Sequence, residues 1–303
     1  MQEPGGTTDH RPPRPLALAL LVEARPKQWI KNLLVFAAPA AAGVLGHGDD
    51  LLATIGAFAC FCLAAAGTYY LNDAADVAAD RRHPTKRFRP IAAGEIPVPA
   101  ARVIGVVGIA AAVGLGLAIN PELALVVGLY VATTTVYSHW LKHLPIFDVV
   151  GVATGFVLRA VAGGTAADVP ISNWFFIVAS FGSLFMVVGK RRAELAELGD
   201  DAGSTRRALD GYPPGFLAQM QTVAVGVVLV GYCLWAFEKA ELADASEPWF
   251  QLSIVPFALA IFRYSLLVDS GHGGAPEDVV LGDRTLQVIG ALWAVTFALG
   301  VYR

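Results

Sequence analysis

Nine apolar runs, at residues 32–45, 51–71, 101–119, 123–137, 147–166, 174–189, 216–237, 250–267 and 285–302, divide this chain. A helix needs about 17–25 apolar residues to cross ~30 Å of hydrocarbon, and lipid offers no water to satisfy open backbone groups. The runs therefore predict an all-α, polytopic integral membrane protein with about nine transmembrane helices, the first and fourth runs being short. Composition agrees: 55% hydrophobic and 16% charged residues is too apolar for a soluble domain of 303 residues.

The linkers sort by charge. Arg25, Lys27 and Lys31 flank the first run; Arg81, Arg82, Lys86, Arg87 and Arg89 lie between the second and third; Lys142 follows the fourth; Lys190, Arg191, Arg192, Arg206 and Arg207 follow the sixth. The alternate linkers, HGDD at 47–50, NPE at 120–122 and ELADASEP at 241–248, are acidic or neutral. Lys and Arg concentrate on cytoplasmic loops, so the N-terminus is expected inside, the C-terminus outside, and the chain in the cell membrane. Residues 1–24 are expected to form a disordered cytoplasmic tail and residues 25–303 one transmembrane domain. Cys60, Cys62 and Cys233 sit within apolar runs without the spacing of a zinc site or disulfide framework. A net charge of -3 gives no reason to expect a nucleic-acid partner.

The inner linkers carry acids as well as bases, more than anchoring requires. NDAADVAAD at 72–80 spaces Asn72, Asp76 and Asp80 by four, with Asp73 three before Asp76. On a helix such residues stack along one face with about 5–6 Å between neighbouring Cβ atoms. A ridge of this kind repels itself unless a cation sits on it, and hard oxygens suit Mg²⁺, which takes one or two carboxylates and completes its shell with water and phosphates. The plain alternative is a solvated helix end. Next comes RRHPTKRFRPIAAGEIP, in which Pro84 should stop the helix and return Lys86 and Arg89 beside the acids. Acids holding a metal next to phosphate-pairing bases make a diphosphate site. In the fifth run Asp148 and Arg159, eleven residues apart, share a face, with Arg159 about 16 Å deeper. An arginine there needs a polar partner: either an anion at a cavity floor or a structural ion pair. Lys190, Arg191 and Arg192 serve equally as membrane anchors or as an anion wall.

Together these segments resemble the UbiA superfamily of intramembrane prenyltransferases from Arg25 onward. NDAADVAAD is similar to that family's first aspartate-rich motif, and the stretch from Tyr137 to Asp148 is similar to its element after the fourth helix. The resemblance implies a nine-helix bundle with a cytoplasm-facing cavity, in which Mg²⁺ on aspartate-rich motifs holds a diphosphate. Where the family has a second Asp-x-x-x-Asp motif after the sixth helix, this chain has KRRAELAEL. One acidic wall has become a cationic one, which suits a donor carrying phosphate at both ends.

Within the superfamily, RPKQWIKN, NDAADVAADRRHPTKRFRPIAAGEI, GKRRAEL and PEDVVLGDRTL resemble the branch that moves 5-phosphoribose from phosphoribosyl pyrophosphate (PRPP) to a polyprenyl phosphate, decaprenyl phosphate among them. That branch lies on the route to the arabinose donor of the cell wall. The resemblance implies Asn72, Asp73 and Asp76 as Mg²⁺ ligands and catalytic residues. Lys86 and Arg89 would share the diphosphate's charge, Lys31, Lys190 and Arg191 would hold the ribose 5-phosphate, and Arg159 and Lys142 the lipid phosphate; Asp80 and Tyr137 would also bind substrate, while Asp283 and Arg284 would close the last inner loop. Its partners would be PRPP, the lipid phosphate and the bilayer, and it leaves room for a homo-oligomer such as a trimer. Two rivals stand: a prenyltransferase with an aromatic acceptor, which calls for the second acidic motif, and a transporter, which calls for polar residues strung through several spans.

Overall fold

The computed structural model describes residues 14–198, 207–243, 247–272 and 276–303, and the described residues form helices and turns without a strand. Residues 1–13, Arg206 and the centre of the acidic linker at 241–248 lie outside them. A short helix, α1 (Leu16–Glu23), leads into an eleven-residue 3₁₀ segment (Pro26–Phe36) and then α2 (Ala37–Ala42). There follow α3 (Gly48–Ala75), the single turn α4 (Val77–Asp80), α5 (Val98–Ile119), α6 (Pro121–His139), α7 (Phe147–Ala166) and α8 (Asn173–Leu198). After the turn α9 (Arg207–Asp210) come α10 (Phe216–Leu242), α11 (Trp249–Leu267), α12 (Pro276–Gly282) and α13 (Arg284–Tyr302).

Among the described residues seven helices are long and apolar enough to cross a membrane, in α3, α5, α7, α8, α10, α11 and α13. The two expected spans outside this set are the two shortest runs. The first, placed at 32–45, is the 3₁₀ segment followed by six residues of α-helix. Its polar Lys27, Gln28, Lys31 and Asn32 leave no continuous apolar face, and 3₁₀ geometry seldom persists this far without tertiary support. The fourth forms α6, whose last two turns carry three threonines, Tyr137 and Ser138. The tail expected over residues 1–24 also gives way at its end, because Leu16–Glu23 is helical and buries Ala19 and Glu23 against neighbours.

Sequential neighbours pack in order: α3 on α5, α5 on α6, α6 on α7, α7 on α8, α8 on α10, α10 on α11 and α11 on α13. The order closes through α2, which touches both α7 and α13. Small residues permit the closest approaches, as is usual for helices packed in lipid. A Cβ on Gly67 of α3 would lie 2.8 Å from the Gly105 carbonyl of α5, and one on Gly163 of α7 would lie 1.6 Å from the Val35 carbonyl of the 3₁₀ segment. The second contact seats that segment between α3 and α7. There Val35 is fully buried in a cluster with Ala57, Cys60, Phe61, Leu123, Val127 and Tyr130.

Helix starts follow local chemistry. Asn120 caps α6 by accepting the Leu123 N–H at 2.7 Å, with Pro121 in the first turn, and Asp283 caps α13 through the Leu286 N–H at 2.7 Å. Overpacking a tight core contact costs about 1–3 kcal/mol. Gly163→Ala is therefore expected to lower the melting temperature of the solubilised protein by several degrees, whereas Gly114→Ala, where a Cβ meets nothing within 4 Å, leaves it unchanged or raised. Differential scanning fluorimetry on the purified variants checks both.

Candidate functional site

The acidic motif does not form one straight ridge. Helix α3 ends at Ala75, Asp76 stands with φ -90° and ψ 6°, and α4 begins beyond it. This bend separates the acids: Asp73 and Asp80 are buried, and Asp76 is exposed. Downstream, the chain turns back after His83-Pro84 as expected. Ile91 and Ile96 tuck beneath α1 and α3 with Ala19, Tyr70 and Ala74, and Arg81 Nε donates to the Ala92 carbonyl at 3.0 Å. The return brings Arg89 onto both acids at once, its Nη1 lying 3.1 Å from Asp73 Oδ1 and 2.8 Å from Asp80 Oδ2. Lys86 stays exposed on the outer side of the turn.

The other oxygen of Asp73 is held by Arg25, which also stacks over the Tyr69 ring at 4.5 Å. Arg25 adopts φ 53° and ψ 59°, the left-handed region, immediately before Pro26. Backbone held there costs on the order of 1–3 kcal/mol and marks sites where surrounding contacts fix the geometry. Here those contacts are Asp73 and Tyr69. Asp73 thus lies between two guanidiniums, which stabilise a carboxylate that is only 5% exposed. Glu23 of α1 lies beside it, 1% exposed, with no hydrogen bond of good geometry to either oxygen. Burial, and then the Asp73 carboxyl next to it, push the Glu23 acid up to about 8.

From this patch polar contacts run across one end of the bundle. Asn72 Nδ2 donates to Ser138 Oγ at 3.2 Å, and the adjacent Tyr137 hydroxyl faces Arg191 Nη2 at 3.4 Å. Arg191 is not on an open wall. It is 2% exposed, with Nε 2.9 Å from Asp148 Oδ2 and Nη1 2.9 Å from Glu194 Oε2. Tyr212 completes the knot by donating to Asp148 Oδ1 at 2.5 Å and accepting the Ile146 N–H at 2.6 Å. Burial and the Asp148 contact hold its phenol well above the ordinary value. Ile146, with φ 70°, occupies a region that a β-branched residue rarely enters. Lys190 is more open and lies 4.0 Å from Glu194 Oε1. Lys142 is half-buried on the 3₁₀ turn Leu141–His143, and Lys31 reaches Gln28 Oε1 at 2.5 Å.

Asp148 and Arg159 are both buried but do not share a partner. Arg159 donates to Asn32 Oδ1 at 2.7 Å, the Tyr130 hydroxyl at 2.9 Å and the Gly155 carbonyl at 2.8 Å, with its carbon 4.7 Å from the Tyr130 ring centre. No carboxylate lies within 4 Å of it among the described residues, so the structural ion pair is excluded there. Asp283, expected to close the last inner loop with Arg284, instead caps α13 and clamps Arg263 with contacts of 3.2 and 2.7 Å. That contact holds its carboxyl below the ordinary range.

Among the described residues no three His, Cys, Asp or Glu side chains converge into a metal cage. The donor set fits instead a hard cation that arrives with phosphate: Asp73 offers a carboxylate, Asn72 an amide oxygen, and Asp76 an exposed carboxylate at the bend. Mg²⁺ is usually bound in this way, through few protein oxygens. Reading the sequence found Asp73, Asp80 and Arg89 but missed Arg25, Glu23, Ser138 and Tyr212. Arg25 passed as one more positive-inside residue, although its place directly before Pro26 marks a turn.

Fold and site define a multi-pass, all-helical membrane protein whose polar groups gather at one end of the bundle around buried acids held by arginines. Residues 33–300 match the UbiA prenyltransferase family, and the chain belongs to it. It is 44% identical over 296 residues to the decaprenyl-phosphate phosphoribosyltransferase of Corynebacterium glutamicum, covering 96% of this chain and 89% of that one. To the enzyme of the same name from Mycolicibacterium smegmatis it is 42% identical over 302 residues, covering 96% and 95%. A UbiA homologue from Archaeoglobus fulgidus, solved with DMAPP and Mg²⁺, shares the fold with a TM-score of 0.71 at 19% identity, over 94% of this chain and 99% of that one.

Removing one partner of a buried ion pair costs about 3–5 kcal/mol because the other charge stays uncompensated. Arg191→Ala is expected to depress folded yield and melting temperature sharply, with Asp148→Asn following it. Lys190→Ala should leave both near the parent. Size-exclusion profiles and thermal melts of the three variants separate the buried knot from the open lysine.

Proposed function

We propose that this protein transfers 5-phosphoribose from PRPP to a polyprenyl phosphate such as decaprenyl phosphate and releases pyrophosphate. The N-terminus and site would lie on the cytoplasmic side of the cell membrane. The observation that carries this reading is the 42–44% identity to decaprenyl-phosphate phosphoribosyltransferases along nearly the whole chain. The site supports it: an acidic patch under two arginines at α3, and, on α8, the more open Lys190 where an acceptor-prenylating relative would need more acids.

The chemistry asks little of a general base. A phosphate monoester has a second pKa of about 6 and is mostly dianionic at pH 7, so a lipid phosphate oxygen can attack C1 of the ribose unaided. The C1–O bond to pyrophosphate breaks as the new bond forms, and stabilising the leaving group is the enzyme's main task. A Mg²⁺ ion on Asp73, with Asn72 and Asp76, would neutralise part of the departing charge. Arg25 and Arg89 stand at the same carboxylate and would share the diphosphate, with Asp80 fixing Arg89 and Lys86 at the rim. Lys190 and Lys31 remain the candidates for the ribose 5-phosphate, while Arg191 would act by holding α7, α8 and Tyr137 in register. Arg159 and Lys142 are the candidates for the lipid phosphate. A buried arginine with only neutral partners, Asn32, Tyr130 and Gly155, leaves a positive charge that an anion would complement.

Membranes containing the protein, given radiolabelled PRPP and decaprenyl phosphate, should yield label in the lipid extract. EDTA or Asp73→Asn should remove at least nine-tenths of it. Label that persists in metal-free buffer would sink the metal assignment. PRPP with Mg²⁺ should also raise the melting temperature of the purified protein, since a ligand at ~100 times its Kd adds about 2.7 kcal/mol. Stabilisation by geranylgeranyl diphosphate and none by PRPP would transfer the reading to a prenyl diphosphate donor.

A further inference from the structure

Glu23 has no account in the structure as a packing residue. It closes α1, its side chain is 1% exposed, and neither carboxyl oxygen has a hydrogen bond of good geometry, although the Asp73 carboxyl and the Ile91 amide lie next to it. Its surroundings on one side are apolar, with Ala19, Tyr70 and Ile91 in the same cluster. The neighbouring side-chain donors are engaged elsewhere. The Tyr70 hydroxyl donates to the Leu20 carbonyl at 2.7 Å, and Arg25, two residues on, is committed to Asp73 and to the Tyr69 ring. A buried polar group without a partner is destabilising, and a buried acid more so. Yet its backbone is held in place, because Trp29 Nε1 donates to the Ala24 carbonyl at 3.0 Å and Arg14 anchors the start of the helix to Glu95 at 3.1 Å. The acid is therefore held beside Asp73, one of the motif's two enclosed carboxylates, without a hydrogen bond of good geometry to either oxygen.

We infer that Glu23 is a further ligand of the divalent cation, supplying from α1 a second enclosed carboxylate beside Asp73. The inference rests on the divalent-cation part of the proposed function and not on the identity of the donor. It explains why the described acids form no cage of three: Asp76 is an exposed carboxylate at the bend, Asp80 is bound to Arg89, and the carboxylate next to Asp73 comes from outside the motif. Two carboxylates, an amide oxygen and phosphate oxygens are a usual shell for Mg²⁺ or Mn²⁺. The two arginines on Asp73 would then have the donor's diphosphate as their new partner once the cation takes that carboxylate.

The test is Mn²⁺ binding by electron paramagnetic resonance on purified protein, with no nucleotide or lipid substrate, in the absence and presence of pyrophosphate. Glu23→Gln should weaken Mn²⁺ at least tenfold in both conditions, and its metal-free melting temperature should match or exceed the parent's because a buried acid without a good hydrogen bond has been removed. Glu23→Asp, which keeps the charge but withdraws it by one methylene, should fold and lose affinity severalfold. Binding within twofold of the parent in either variant overturns the inference. So does a lowered metal-free melting temperature with unchanged affinity, which makes Glu23 a structural acid. Should Mn²⁺ binding depend on Glu23 while PRPP transfers no label, the donor assignment fails and the ligand assignment stands.

Discussion

Every departure from regular helix in this bundle has to be compensated locally, because hydrocarbon satisfies neither an open amide nor an unpaired charge. That constraint orders the structure. The 3₁₀ segment Pro26–Phe36 sits at depth only because Asn32 joins it to Arg159, which is itself fixed by Tyr130 and Gly155, and because Gly163 lets its backbone lie against α7. The bend at Asp76 is bridged by Arg89, which holds acids on both sides of it. The left turn at Ile146 is met by Tyr212. Each irregularity carries a polar group: Arg89 and Arg159 belong to the proposed site, whereas Tyr212 belongs to the scaffold.

The two charged regions at this end of the bundle solve different problems. Around Asp148 every partner is satisfied: Arg191, Glu194 and Tyr212 form a closed set that ties α7, α8 and the loop before α10 together. A network so fully paired is a scaffold. Around Asp73 the set is not closed, since Glu23 lacks a hydrogen bond of good geometry, Asp76 is exposed and Arg25 holds a strained backbone. Unspent donors and acceptors are what a site keeps for a ligand, so the same kinds of residue, arginine and aspartate, differ in role by how much of their hydrogen-bonding capacity the fold has already used.

The family relationship and this difference bear on each other. UbiA relatives share the fold at under 20% identity, as with the Archaeoglobus fulgidus homologue, so the bundle alone says little about the substrate. In this chain the ends of α3 and α8 differ: acids under two arginines at α3, and bases largely paired with acids at α8.

The sequence by itself determined the membrane class and the helical architecture, and it singled out the stretch from Asn72 to Arg89. These depend on run length, charge sorting and spacing, all local quantities that the chain carries without knowing its partners. It did not determine that the first run is 3₁₀, that the acidic ridge bends at Asp76, or that Arg191 is buried while Lys190 is open. Two adjacent basic residues on one helix point about 100° apart, and only the neighbours of α8 decide which of them meets Asp148. Nor could spacing pair Arg25 and Glu23 with Asp73, forty-eight and fifty residues away, because that contact exists only once α1 has folded back across the end of α3. Tertiary packing thus decided which charges are spent on the fold and which are left for chemistry.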